Sequence, residues 1–212
     1  MLSLRTRHPE KSTDGAEESA SRLDNTIVDD INLARRLGLN QAGALENLIE
    51  QHGDHLQRLI RKLCGGACSA DDLMQETLLR AWEAAGSYRG EAPLRHWLTQ
   101  IAVRVCRNHQ RGFRRWTAHL KSFWQQRMES REGNSSPNAS TAEASASDTM
   151  HKALNRLAYA DRELLVLYYF EEQSLKHVAA QLRVRESTLH VRLHRSRERL
   201  KALLENVEEN QQ

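Results

Sequence analysis

Apolar residues recur at every third or fourth position along most of this chain, and strict alternation is scarce. The first spacing is that of an amphipathic helix; alternation would signal strands. Leu45, Leu48, Ile49, His52, Leu56, Leu59, Ile60 and Leu63 form one stripe, broken at Gly65–Gly66. Ser69 and Asp71 then offer N-caps for a helix carrying Leu73, Thr77, Leu78, Ala81 and Trp82 along one side. Residues 84–93 hold the glycines and proline of a loop, and Leu94 opens a third helix through Trp97, Leu98, Ile101 and Val105. The stretch 129–148 is rich in Ser, Ala and Asn and has no large apolar residue, the composition of a tether. Helical spacing returns near 149–158, at Asp161–Phe170, at Ser174–Leu182 and from Ser187 to Leu204. The pattern predicts an all-α protein: two small helical domains on a flexible linker.

The expected boundaries are an N-terminal extension at 1–40, a first domain at 41–115, a linker at 116–148, a second domain at 149–205 and a polar tail at 206–212. The first ~25 residues are polar and of mixed charge, too poor in apolar surface to order. In 212 residues the longest uninterrupted apolar run is Leu164–Phe170, far short of the ~20 residues that span a bilayer. The N-terminal residues lack the apolar core of a secretory signal, so a cytoplasmic protein is expected.

Cysteine chemistry adds little. Three cysteines make no disulfide framework, and Cys64-x-x-x-Cys68 with Cys106 and His109 lacks the paired spacing of structural zinc, so reduced thiols are expected. No Walker A, GxGxxG or HExxH run occurs. The residues therefore predict no catalytic site, no metal, no cofactor and no small-molecule substrate.

Charge changes the picture more. The formal net charge is only +3, yet Arg89–Arg115 carries seven arginines against Glu91, and Ser174–Lys201 carries eight basic residues against two acids. Two basic faces on a flexible tether suit a polyanion longer than either domain, and nucleic acid fits that description. Within the second basic stretch, Ser174 can cap a short helix with Val178, Ala179 and Leu182 inward. A turn plugged by Val184 leads to the capping pair Ser187–Thr188. Leu189, Leu193 and Ser196 then face inward, which turns His190, Val191, Arg192, His194 and Arg195 outward. This is the layout of a helix-turn-helix whose second helix enters a major groove.

Tyr168–Leu204, above all ThrLeu-x-x-ArgLeuHisArg-x-Arg at 188–197, resembles the −35-binding domain of the extracytoplasmic-function (ECF) group of bacterial sigma factors. AspAspLeu-x-GlnGlu at 71–76, ArgAlaTrp at 80–82 and Pro-x-x-x-TrpLeu-x-x-IleAla at 93–102 resemble that group's core-binding and −10-recognition domain. Where the family often has Gly at 183 and Pro at 185, this chain has Arg, and its His190 and Val191 replace a frequent basic residue and serine.

The resemblance implies three sets of contact residues. Asp72, Leu73, Gln75, Glu76 and Arg80 would dock on RNA polymerase core. Tyr88, Arg89, Gly90 and Glu91, with Trp97, Arg104, Arg107, Asn108 and Arg111, would hold the melted −10 strand, although Trp97 is equally in phase with Ile101 as a packing residue. Arg185, Ser187, Thr188, His190, Val191, Arg192, His194 and Arg195 would face −35 duplex. It also implies a restraining anti-sigma factor, with a membrane-anchored form as one option. Two other readings stay open at this point: a stand-alone helix-turn-helix regulator, which needs no polymerase-binding face, and a helical-bundle enzyme, which needs the clustered ligands that are missing here.

Overall fold

The structure, a computed structural model, describes residues 14–65, 68–127 and 146–209. The described residues form helices and turns only: α1 (Asp14–Gly38), α2 (Ala44–Cys64), α3 (Ala70–Ala84), a 3₁₀ turn (Ala85–Ser87), α4 (Leu94–Arg127), α5 (Ala146–Arg156), α6 (Tyr159–Leu165) continuing into a π-helical turn (Val166–Phe170), α7 (Leu175–Leu182) and α8 (Glu186–Glu209). Residues 1–13, 66–67, 128–145 and the last three lie outside what is described, and with them all of the tether expected over 129–148 except its last three positions, which begin α5.

Helices α1 to α4 pack as one bundle. Leu48, Leu56, Leu59, Ile60 and Leu63 of α2 are buried against Leu94, Leu98 and Ala102 of α4 and Leu73 and Ala81 of α3. Local chemistry sets the ends of these helices. Ser69 Oγ accepts from Asp72 N–H at 3.2 Å to start α3, with Asp71 and Asp72 favourably placed in its first turn. α1 stops where Asn40 turns left-handed (φ 54°) and Gln41 N–H reaches back to Arg36 C=O at 3.0 Å, a closure that favours Gly or Asn. Thr77 is buried in α3, and its hydroxyl is satisfied by donating to Leu73 C=O at 2.7 Å.

Several expectations change here. The extension does not stand apart: Asp30, Leu33, Ala34 and Leu37 of α1 are buried, so this helix completes the first bundle. Leu45 and Ile49 lie on the edge of the α2 stripe and are exposed. α4 runs on to Arg127, past the expected start of the linker at 116. Cys64 and Cys68 form a disulfide across the end of α2, with Cα atoms 5.9 Å apart, where reduced thiols were expected; Cys106 is a buried free thiol.

In the second bundle, Leu154, Leu157, Leu164, Leu165, Leu167, Val178, Leu189 and Leu193 close the interior. The two bundles also touch. α2 packs against α5, α6 and the π-helical turn. Arg162 of α6 is buried at the C-terminal end of α2, its Nη2 3.5 Å from Cys64 C=O, where a helix offers partial negative charge. Gly65 (φ 71°) makes room for it, since a methyl group there would fall 2.7 Å from Arg162 Nη1.

Candidate nucleic-acid interface

Three surfaces carry the expected contact residues. On the second bundle, Ser174 Oγ caps α7 by accepting from His177 N–H at 3.3 Å. α7 ends at Arg183 in a left-handed conformation (φ 57°), with Arg183 N–H to Ala180 C=O at 3.2 Å and Val184 N–H to Ala179 C=O at 3.0 Å. α8 follows with Leu189, Leu193 and Ser196 buried, so Ser187, Thr188, His190, Val191, His194 and Arg195 are exposed together with Arg185 in the turn. Two local details differ from expectation. Val184 is exposed rather than a plug, and α8 begins at Glu186, which puts Ser187 and Thr188 inside its first turn.

Arg192 behaves differently from its neighbours. Its Nε donates to Asp161 Oδ1 at 3.1 Å, and Arg199 Nη1 donates to Asp161 Oδ2 at 2.5 Å. Burial pushes the Asp161 carboxyl up, but these two guanidinium bonds outweigh it and hold the group below the usual carboxylate range. Arg192 thus pins α8 to α6. Arg197 lies over the rings of Tyr168 and Tyr169, 5.9 and 5.2 Å from their centroids.

On the first bundle, the loop before α4 folds on itself. Tyr88 Oη donates to Ala92 C=O at 2.7 Å, and the Tyr88 ring meets Trp97 edge-on with centroids 5.6 Å apart. Gly90 supplies the one positive φ (73°) that the turn needs. A cleft of ≈ 430 Å³ opens beside this pair, lined by Ser87, Tyr88, Arg89, Glu91, Trp97 and Gln100. Trp97 is half-buried, serving packing and cleft at once. Arg104, Asn108 and Arg111 are exposed along α4 and line a second cleft of ≈ 550 Å³ closed on its far side by Gln181 and Arg183 of α7.

Arg107 is committed elsewhere. Its Nε and Nη2 both donate to Glu163 Oε1, at 3.0 and 2.9 Å, across the two bundles. Burial raises the Glu163 carboxyl more than Arg107 lowers it. A second bridge lies nearby: Thr99 Oγ1 donates to Glu171 Oε2 at 3.1 Å, with His55 Nε2 3.1 Å from Thr99 Oγ1 and 3.4 Å from Glu171 Oε2. Sequence reasoning missed Asp161, Glu163 and Glu171. The available signal was three carboxylates flanking the longest apolar run, where each must find a partner once buried.

The third surface is α3. Asp72 and Gln75 are exposed, and Arg80 Nε donates to Glu76 Oε1 at 2.9 Å while Nη1 lies 3.7 Å from Glu83 Oε2. Leu73, which the resemblance counts among the core contacts, is buried at 5% exposure, on the inward side that its spacing with Thr77 and Ala81 predicts. Trp82 is exposed, its Nε1 donating to Asn40 Oδ1 at 2.6 Å. Among the described residues no His, Cys, Asp or Glu cluster could hold a metal ion, and no helix is long and apolar enough to cross a membrane.

Comparison with known proteins fits this layout. A sigma-70 region 2 family model matches residues 48–117, and a sigma-70 region 4 model matches residues 147–200. The RNA polymerase sigma factor NccH of Alcaligenes xylosoxydans xylosoxydans is 30% identical over 177 residues, covering 82% of this chain and 94% of that protein. The ECF RNA polymerase sigma factor SigM of Mycobacterium tuberculosis is 31% identical over 163 residues, covering 76% of this chain and 77% of that protein. Two solved structures share the fold. CnrH, in complex with the cytosolic domain of CnrY, superposes with a TM-score of 0.52 at 24% identity, over 84% of this chain and 97% of that one. The sigma factor RpoE of Bartonella quintana, in complex with the anti-sigma factor NepR, superposes with a TM-score of 0.57 at 22% identity, over 77% and 98%. With both regions matched in order and relatives of 30–31% identity spanning most of its length, this chain belongs to the ECF group of the sigma-70 family of RNA polymerase sigma factors.

Proposed function

We propose that this chain docks on RNA polymerase core through the exposed face of α3, sets α8 in the major groove of a −35 element, and captures the melted −10 strand with the loop at 88–93 and the basic face of α4. The observation that carries this reading is the separation of roles on α8: Leu189, Leu193 and Ser196 are buried while His190, Val191, His194 and Arg195 form an exposed row. An Arg in such a row can bond guanine in bidentate fashion. The exposed α4 arginines can neutralise phosphates, and aromatic stacking adds about 1–3 kcal/mol per base. Binding energy offsets the cost of unstacking, and no bond is made or broken in the DNA. The fold relative RpoE is bound by the anti-sigma factor NepR, which supports a similar restraining protein here.

The test is run-off transcription with polymerase core on duplex and pre-melted templates. Arg195→Ala is expected to cost about 1–3 kcal/mol in −35 duplex binding and to flatten preference at one position. Arg104→Ala is expected to spare −35 binding and impair opening, with rescue on a pre-melted template. Equal defects of both variants on both templates would contradict this division of labour, and failure to co-elute with core would overturn the reading altogether.

A further inference from the structure

The N-terminal helix reaches the loop that the proposed function assigns to base capture. Asp30 is buried in α1, and its Oδ2 accepts from Leu94 N–H at 2.7 Å. That amide belongs to the first residue of α4, one of the orphan donors that a helix start must satisfy. The usual solution is a side chain just before the helix. Pro93 stands in that position, and its side chain has no polar atom. The acceptor instead comes from 64 residues upstream on another helix.

Ile27, about one turn before Asp30, and Ile31, the residue after it, close over Gly90. A methyl group on Gly90 would fall 2.6 Å from Ile31 Cδ1 and 3.3 Å from Ile27 Cγ2, so the left-handed glycine is both required by φ and gripped from outside. The loop also ties to itself, through Tyr88 Oη to Ala92 C=O, and to α4, through the Tyr88 ring against Trp97. Burial, and then the Asp30 charge, push the Tyr88 phenol up to about 12, which keeps that donor protonated. Two of the contacts that fix the loop, at Leu94 N–H and at Gly90, come from α1.

We propose that α1 is a positioning element for base capture: Asp30 and Ile31 hold the 88–93 loop in the shape that decides which base the cleft beside Tyr88 and Trp97 accepts, without touching DNA themselves. The inference rests on the −10 role given to this loop and goes beyond it, since it assigns selectivity to a helix set apart from the recognition domain in the sequence. A helix that merely fills the bundle would, when weakened, lower stability and both DNA contacts together. A positioning element would, when weakened, blur the choice of base and leave the −35 contact alone.

The experiment uses holoenzyme assembled from the full chain and polymerase core. It selects from a randomised single-stranded DNA library, and separately from a randomised duplex library, with bound sequences read out by sequencing. The wild-type chain is expected to enrich one base at a −10-like position. Asp30→Ala and Ile31→Ala are each expected to reduce that enrichment about tenfold, the discrimination one well-made base contact supplies. Asp30→Asn, which keeps an acceptor oxygen, should restore most of it, and duplex selection should be unchanged in all three. Ile31 is 39% exposed, so its truncation tests the idea even where Asp30→Ala fails to fold. A wild-type base preference that survives both truncations overturns the role of α1 alone, as does an equal loss in both libraries. No base preference in the wild type overturns the reading of the loop, and the inference with it.

Discussion

Arg183 ends α7 with a left-handed backbone, φ 57°, the region that favours glycine. A side chain in that region costs about 1–2 kcal/mol. Arg183→Gly is therefore expected to raise the stability of the full chain by about 1 kcal/mol in urea denaturation, since relief of strain exceeds the entropy glycine returns to the unfolded state. A loss of stability would show that the Arg183 side chain contributes more than its backbone costs. His55 offers a second residue-scale test. Burial, and then neighbouring positive charges, lower its imidazole to about 4 from the ordinary 6.5, so the folded chain holds it neutral. The unfolded state binds the proton more tightly, so this contribution is complete above pH 6.5 and is lost as pH falls toward 4. Wild type should lose stability relative to His55→Gln across that window, by at most about 1.4 kcal/mol per pH unit; parallel pH profiles would contradict the assignment. Neither property was legible in the sequence. A glycine-to-arginine departure shows nothing of the sign of φ, and a histidine beside an apolar stripe shows nothing of the Glu171 and Thr99 that meet it.

Helical spacing located most elements because one residue's neighbours at three and four positions fix which face turns inward. It found Leu48, Leu56, Leu59, Ile60 and Leu63 on α2 and Leu189, Leu193 and Ser196 on α8. It found Leu73, Thr77 and Ala81 on α3 as well, and failed at the edges of stripes, where Leu45, Ile49 and Trp82 are exposed. α3 allows the two sorts of residue to be separated. Asp72→Lys combined with Gln75→Lys should lower stability by no more than about 1 kcal/mol, the weight of a charge at a helix start, and weaken association with polymerase core by more than about 0.5 kcal/mol. Leu73→Ala should instead lower stability by about 2–5 kcal/mol, with core association per folded molecule unchanged. Size-exclusion co-elution beside thermal denaturation measures both. α1 escaped notice for another physical reason. Among the described residues its buried side chains are Asp30, Leu33, Ala34 and Leu37, a short apolar set, and its decisive atom is a carboxylate that caps a helix distant in sequence.

At the scale of the whole molecule, the two bundles meet through charged groups as much as through leucines. Arg107–Glu163 joins positions 56 residues apart, a separation no local pattern encodes. Glu163→Gln should shift the chain toward separated bundles by about 1–3 kcal/mol, the weight of a buried charge-assisted hydrogen bond. Small-angle scattering should then show a larger radius of gyration, and single-stranded −10 DNA should bind more tightly. An unchanged radius would mean that the leucine contacts alone hold the bundles together. If Arg107 takes the −10 phosphate role that the resemblance implies, its guanidinium cannot serve Glu163 at the same time, and promoter DNA and α6 become rival ligands for one cation. If the joined form outweighs the separated one by about a hundred to one, apparent promoter affinity falls about a hundredfold with every DNA-contacting residue intact. A protein that recognises only the seam between the bundles would therefore silence transcription without covering a single base-reading side chain, simply by lengthening the time that this arginine spends with its own carboxylate.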